Sequence, residues 1–129
     1  VWKNLTLAYC NYFCFSRNME SEAALLAFGA MSQPTRLAAL RALIAAEPEG
    51  LAAGALARDL GVPDNTLSTH LGLLSRAGLV TSERRGRSVV YRANIDQVRA
   101  LVLFLVADCC GGRADRCEPI LAELLHCCP

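Results

Sequence analysis

The sequence predicts a mainly α-helical fold with one small β-hairpin, and three observations predict it. Apolar residues recur at helical spacing through most of the 129 residues. Two short helical segments are joined by the tight turn "GVPD", Gly61 to Asp64, which is the signature of a helix-turn-helix. The stretch that follows, "LVTSERRGRSVVYRAN", then alternates as two strands around Gly86. A hairpin placed directly behind such a helix pair is a wing, so the expected architecture is a winged helix-turn-helix. A hydrophobic content of 53% is more than a chain this short can readily bury alone. The expected assembly is therefore a homodimer.

In chain order, Ser21 to Ser32 reads as a first helix with Leu25, Phe28 and Met31 at intervals of three. Pro34 suits the first turn of the next helix, where its missing N–H would be unpaired anyway. Leu37, Leu40, Leu43 and Ile44 give that helix its apolar face, and "EPEG" closes it. "LAAGALARDLG" is a third helix, with Leu51, Ala55, Leu56 and Leu60 inward and Gly61 as its left-handed cap. A fourth begins at Asp64, the expected N-cap, with Leu67, Leu71 and Leu74 inward and Gly78 at its end. Its polar side presents Asn65, Thr66, Ser68, Thr69 and His70, short side chains of the kind that reach base edges and phosphates from a major groove. The strands are expected at Leu79 to Glu83 and Ser88 to Ala93, and Arg84, Arg85 and Arg87 crowd the tip between them. Guanidinium groups there suit the DNA backbone or the negative minor groove. From Ile95 to Ala107 a helix apolar nearly all round needs burial on more than one side, which points to a dimer interface. Pro119 begins a last helix with Ile120, Leu121, Leu124, Leu125 and Cys128 on one face.

Net charge is only +1, but its distribution is informative. Arg76, Arg84, Arg85, Arg87 and Arg92 fall within seventeen residues that contain a single acid, Glu83. Such a patch on a near-neutral protein fits a phosphate-binding surface; a solvated arginine hairpin is the plainer alternative. The seven cysteines cluster at the ends of the chain, at Cys10, Cys14, Cys109, Cys110, Cys117, Cys127 and Cys128. An odd number with an empty middle is not a disulfide framework and suggests reduced thiols in a cytoplasm. Residues 1–18 are apolar and aromatic but lack a signal-peptide cleavage site, and Met19 reads as a natural start. The run Ala100 to Ala107 is too short to span a bilayer, so no membrane partner is expected. The expected organisation is a leader at 1–18, a DNA-binding and dimerisation domain at 19–107, and a cysteine-rich segment with a final helix at 108–129.

Three segments, "LLAFGAMSQPTRLAALRAL", "GALARDLGVPDNTLSTHLGLLSRAGLV" and "RRGRSVVYRAN", resemble the ArsR/SmtB family of winged-helix metalloregulators, over about Glu20 to Ala107. The resemblance implies a homodimeric repressor that binds a near-palindromic operator when free of inducer and is released by a metal or metalloid. It also implies that the positions of Asn65, Thr66, Ser68, Thr69 and His70 approach DNA. Gly72 is a departure, since relatives often carry a basic residue there, and it weakens both the helix and a phosphate contact. Two family sensor sites do not transfer. The helix "GLAAGALARDLG" lacks the cysteine pair of many arsenic sensors, and Ile95 to Ala107 lacks the histidines of zinc sensors. The stretch "DCCGGRADRC", Asp108 to Cys117, looks instead like a third arrangement, found in arsenite-responsive members with a vicinal cysteine pair and a later cysteine.

The chemistry of that stretch suits the resemblance. Trivalent arsenic forms three bonds to sulfur, so Cys109, Cys110 and Cys117 would satisfy it, and soft thiolates select against oxygen-loving cations. Adjacent side chains diverge on a regular backbone, but Gly111 and Gly112 allow Cys117 to fold back towards the pair. Arg113 and Arg116 would favour the thiolates. The expected inducer is As(III), with Sb(III) a second candidate, and no permanently bound cofactor. A redox or persulfide switch on the same cysteines, a zinc or cadmium site completed by Asp108 or His126, and incidental buried cysteines are the alternatives. An enzyme would need a nucleophilic cysteine in a phosphate-type loop, and no cysteine here precedes a helix in that way.

Overall fold

The computed structural model describes residues 19–106, together with Arg116, Glu118, Pro119, Ala122 and Glu123, which are helical. Two units are distinguished: Glu20–Arg99, and a second formed by Val1–Met19 with Ala100–Pro129. The elements are α1 (Ser21–Met31), α2 (Pro34–Ala45), β1 (Leu51–Ala52), α3 (Ala53–Leu60), α4 (Asp64–Arg76), β2 (Val80–Arg85), β3 (Ser88–Ala93) and α5 (Ile95–Val106). Helices followed by a hairpin were expected, and this order carries them.

Helix α2 is the hub of the first unit, packing against α1, α3, α4 and β3. Its start is fixed by sequence: Pro34 occupies the first turn, and the Gln33 side chain caps it by accepting the Arg36 N–H at 2.8 Å. The Arg36 guanidinium in turn donates to the Ala30 carbonyl, tying α2 back to the end of α1. The core is wholly apolar among the described residues, with Leu43, Leu56, Leu67, Leu71, Leu74 and Leu79 as its largest fully buried side chains. Full burial of each such leucine stabilises the fold by about 1.5–3 kcal/mol.

The inward face of α1 differs from the expected one. Ala24, Ala27 and Ala30 are buried, whereas Leu25 is 70% exposed and Leu26 55%. Small residues at intervals of three let α1 lie close on α2, and the leucines point the other way. On α2, likewise, Leu40 and Leu43 are buried but Leu37 and Ile44 are exposed. The next helix is shorter than its apolar run suggested. Leu51 and Ala52 form an edge strand and only Ala53–Leu60 is helical, with Leu56 and Ala57 buried.

The sheet is therefore three-stranded and antiparallel, in the order β1-β3-β2. Leu51 pairs with Tyr91 and Ala52 with Val90. The register of β2 and β3 runs from Val80 opposite Ala93 to Arg85 opposite Ser88, leaving Gly86 and Arg87 as the turn. Side chains alternate across a strand. Val80, Ser82, Arg84, Val89, Tyr91 and Ala93 thus share one face, which the buried Val80 and Ala93 turn towards the helices. Thr81, Glu83, Arg85, Ser88, Val90 and Arg92 share the other.

Candidate nucleic-acid interface

The turn between α3 and α4 is built as expected at one end and differently at the other. Gly61, at φ 64°, caps α3, with its N–H donating to the Arg58 carbonyl and the Val62 N–H to that of Ala57. Asp64, however, is the first residue of α4 and not its cap. Pro63 takes the cap position, and no side chain accepts a bond there. The acid still lies in the first turn, where its charge favours the positive end of the helix dipole.

Leu67, Leu71 and Leu74 fix the rotation of α4 by anchoring it in the core. At 3.6 residues per turn, Asn65, Thr69 and Arg76 then fall within about 30° of the direction pointing straight out. Thr66 and Ser68 flank this stripe, and all five side chains are exposed. The amide oxygen of Asn65 accepts the Thr66 N–H at 2.9 Å, leaving its amino group outward as a donor. The Thr69 hydroxyl donates to the Asn65 carbonyl at 3.2 Å, and its oxygen keeps lone pairs free to accept. His70 stands apart from the other four. It lies about 65° from the core-facing direction, is half-buried, and its Nδ1 is buried without a hydrogen-bond partner among the described residues.

The hairpin sets three arginines at or beside its turn. Arg84 and Arg87 are exposed and have no acidic partner among the described residues, whereas Arg85 is paired with Glu83 at 3.2 Å. Of the wider basic cluster, Arg92 is also engaged: Glu47, in the turn after α2, takes its guanidinium in a two-pronged pair at 2.6 and 3.2 Å. The guanidinium hydrogen bond, helped by its charge, holds the Glu47 carboxyl below the usual carboxylate range, and Glu47 raises Arg92. Arg76, at the end of α4, turns back to the Gly72 carbonyl at 3.4 Å. The patch read from the sequence as five arginines thus leaves Arg76, Arg84 and Arg87 without an acidic partner among the described residues.

One positioning residue was not singled out in the sequence. Asn94 receives α4, the hairpin and α5 at one point. Its side-chain amide donates to the Gly78 carbonyl at 3.0 Å, its oxygen accepts the Gln97 N–H at 3.3 Å, and its own N–H donates to the Leu79 carbonyl at 2.8 Å. It links the end of the outward-facing helix to the base of the wing. The signal was present, since an asparagine before a helix is a cap candidate.

Among the described residues, no three His, Cys, Asp or Glu side chains are grouped so as to hold a metal ion, and no helix is long and apolar enough to cross a membrane. Cys109, Cys110 and Cys117, the expected inducer ligands, lie outside the described residues, as do Cys127 and Cys128.

Comparison with known proteins agrees with this geometry. Residues 31–83 match the model of a helix-turn-helix domain family. The nodulation protein NolR of Rhizobium meliloti is 31% identical over 102 residues, which span 79% of this chain and 80% of NolR. An ArsR-like transcriptional regulator from Rhodococcus sp. RHA1 superposes with a TM-score of 0.60 at 27% identity, covering 80% of this chain and 92% of that one. A homodimeric winged helix-turn-helix DNA-binding domain from Mycobacterium bovis gives a TM-score of 0.54 at 28% identity, covering 71% and 88%. With its wing, its outward polar helix and these relatives, the chain belongs to the ArsR/SmtB family of winged helix-turn-helix transcriptional regulators.

Proposed function

We propose that the chain is a homodimeric repressor that binds operator DNA when free of inducer and is released by As(III), with Sb(III) a second inducer. The observation that carries the DNA-binding part is the outward stripe of α4, Asn65, Thr69 and Arg76, held rigid by three buried leucines beside an arginine-tipped wing. Two such helices, one per subunit, would enter successive major grooves of a near-palindromic site. Dimerisation is supported by apolar surface that a monomer leaves in water. In the first unit α1 exposes Leu25 and Leu26, and in the second α5 exposes Val102 and Leu105. The homodimeric Mycobacterium bovis domain supports the same reading.

The inducer site we assign to Cys109, Cys110 and Cys117, directly after α5. Three thiolates match the valence of the metalloid, and the neighbouring Arg113 and Arg116 favour deprotonation of the thiols. A ligand held there acts at the end of the helix proposed to join the subunits. A small change in the angle between them misaligns two recognition helices whose spacing must match one turn of DNA. A coupling of a few kcal/mol suffices to empty an operator.

The test is a titration of a labelled duplex, selected from a random pool by the reduced protein, with arsenite, antimonite, zinc, cadmium and peroxide. Wild type and Cys117→Ser are compared. Arsenite is expected to release DNA from the wild type and not from the variant. Release by peroxide with no response to arsenite would replace the metalloid reading by a thiol redox switch.

A further inference from the structure

We propose that the wing meets DNA through its helix-side face and its tip, by Arg84 and Arg87, and that Glu83 withholds Arg85 from the contact. This rests on the DNA-binding reading above, and it divides three neighbouring arginines that the sequence alone treats as equivalent.

Strand alternation puts the division in place. Arg84 lies on the face of β2 that also carries Val80 and Ser82, the face turned towards the helices, and α4 packs against this strand. On this proposal a duplex lying on the outward stripe of α4 is also met by that side of the hairpin, next to which α4 packs. Arg87 sits in the turn, beyond the last strand pair. Both side chains are exposed and unpaired with any acid among the described residues.

Arg85 points the other way and into acidic company. Glu83, two residues back on the same face, holds it at 3.2 Å. Further down that face Arg92 is committed to Glu47, and Asp96 lies with both beside a shallow pocket of about 310 Å³ that also takes in Thr81 and Asn94. The two arginines of this face are matched by two acids in contact with them. A phosphate approaching from this side gains no net attraction, whereas one approaching Arg84 and Arg87 meets uncompensated charge. An exposed ion pair is weak in itself. Glu83 acts chiefly by its charge, which lowers the potential at Arg85 whatever geometry the pair adopts.

The experiment is the salt dependence of binding to the selected duplex between 50 and 200 mM salt. It uses the full chain and the variants Arg84→Ala, Arg87→Ala, Arg85→Ala, Glu83→Gln and Glu83→Gln/Arg85→Ala. Each lost phosphate contact flattens the slope of log K against log salt by about 0.9. Arg84→Ala and Arg87→Ala should each show that loss, and Arg85→Ala less than about a third of it. Glu83→Gln should strengthen binding to random-sequence duplex, and the double variant should return it to the wild-type value. The substituted side chains are exposed, so unchanged thermal melts serve as the folding control. An Arg85→Ala loss equal to that of Arg84→Ala, or a Glu83→Gln variant indistinguishable from wild type, overturns the assignment. A wild type with no salt-dependent DNA binding would instead sink the DNA-binding reading itself.

Discussion

Gly50 offers the sharpest test of how the wing is held to the body. Its φ is 75°, in the left-handed region, and a Cβ built there would lie 2.5 Å from the Tyr91 carbonyl oxygen and 2.7 Å from Cγ of Arg92. The left-handed conformation alone costs an alanine about 1–2 kcal/mol. The clash adds to this, because Tyr91 is paired with Leu51 and its carbonyl cannot retreat by about an ångström without straining the β1–β3 ladder. Losing one or two ladder bonds costs about 1 kcal/mol each. Gly50→Ala should therefore destabilise by about 3 kcal/mol. Gly61→Ala is the internal control: φ is 64°, but no atom of the described residues lies within 4 Å of the added carbon, so only the conformational cost of about 1–2 kcal/mol applies. Urea unfolding with a common slope measures both. Equal losses for the two variants would show that the contact of Gly50 with β3 is not what restricts that position.

Glu47, Asn94 and Gly72 carry three further expected outcomes. Glu47 is held below the usual carboxylate range by the Arg92 hydrogen bond, so its contribution is fully present above the unfolded pKa and is lost as pH falls through the depressed folded value; acid unfolding of Glu47→Gln should lack that component. Asn94→Ala removes both a cap for the start of α5 and the bond to the Gly78 carbonyl; a loss of about 1–2 kcal/mol is expected in urea melts, together with weaker DNA binding as the wing loosens from α4. At Gly72 an added methyl meets no atom of the described residues within 4 Å; Gly72→Ala should stabilise the free protein by about 1 kcal/mol, seen as a higher thermal midpoint.

The sequence carried much of this fold because its strongest signals are local. Leu67, Leu71 and Leu74 repeat at a period only a helix can satisfy, and Gly61 and Gly78 end helices by backbone conformations that few other residues adopt. What it did not carry depends on distant partners. Leu51 and Ala52 read as the start of a helix because their strand is made by Tyr91 and Val90, some forty positions on. Leu25 looked like core because periodicity finds an apolar stripe but not which side of it meets α2; the alanines fit the closer approach. Asp64 looked like a cap because caps are read by residue type, whereas the backbone entered α4 at Pro63.

The same distinction governs the candidate site. Asn65, Thr66, Ser68 and Thr69 could be read from periodicity, because the direction opposite three buried leucines is fixed once the helix is. His70 could have been separated from them on the same grounds, since it follows Thr69 by a turn of 100° back towards the core. The arginines could not be sorted in this way. That Arg92 belongs to Glu47 is a contact across forty-five positions, and a run such as "ERRGR" shows charge without showing face. Alternation along the strand puts Arg85 with Glu83, but only the register, Arg84 opposite Val89 and Arg85 opposite Ser88, tells which of the two faces is turned towards the helices. A one-residue slip would exchange them. The wing's electrostatics are therefore a property of strand pairing, and substitutions that shift the pairing should alter DNA binding even where every charge is kept.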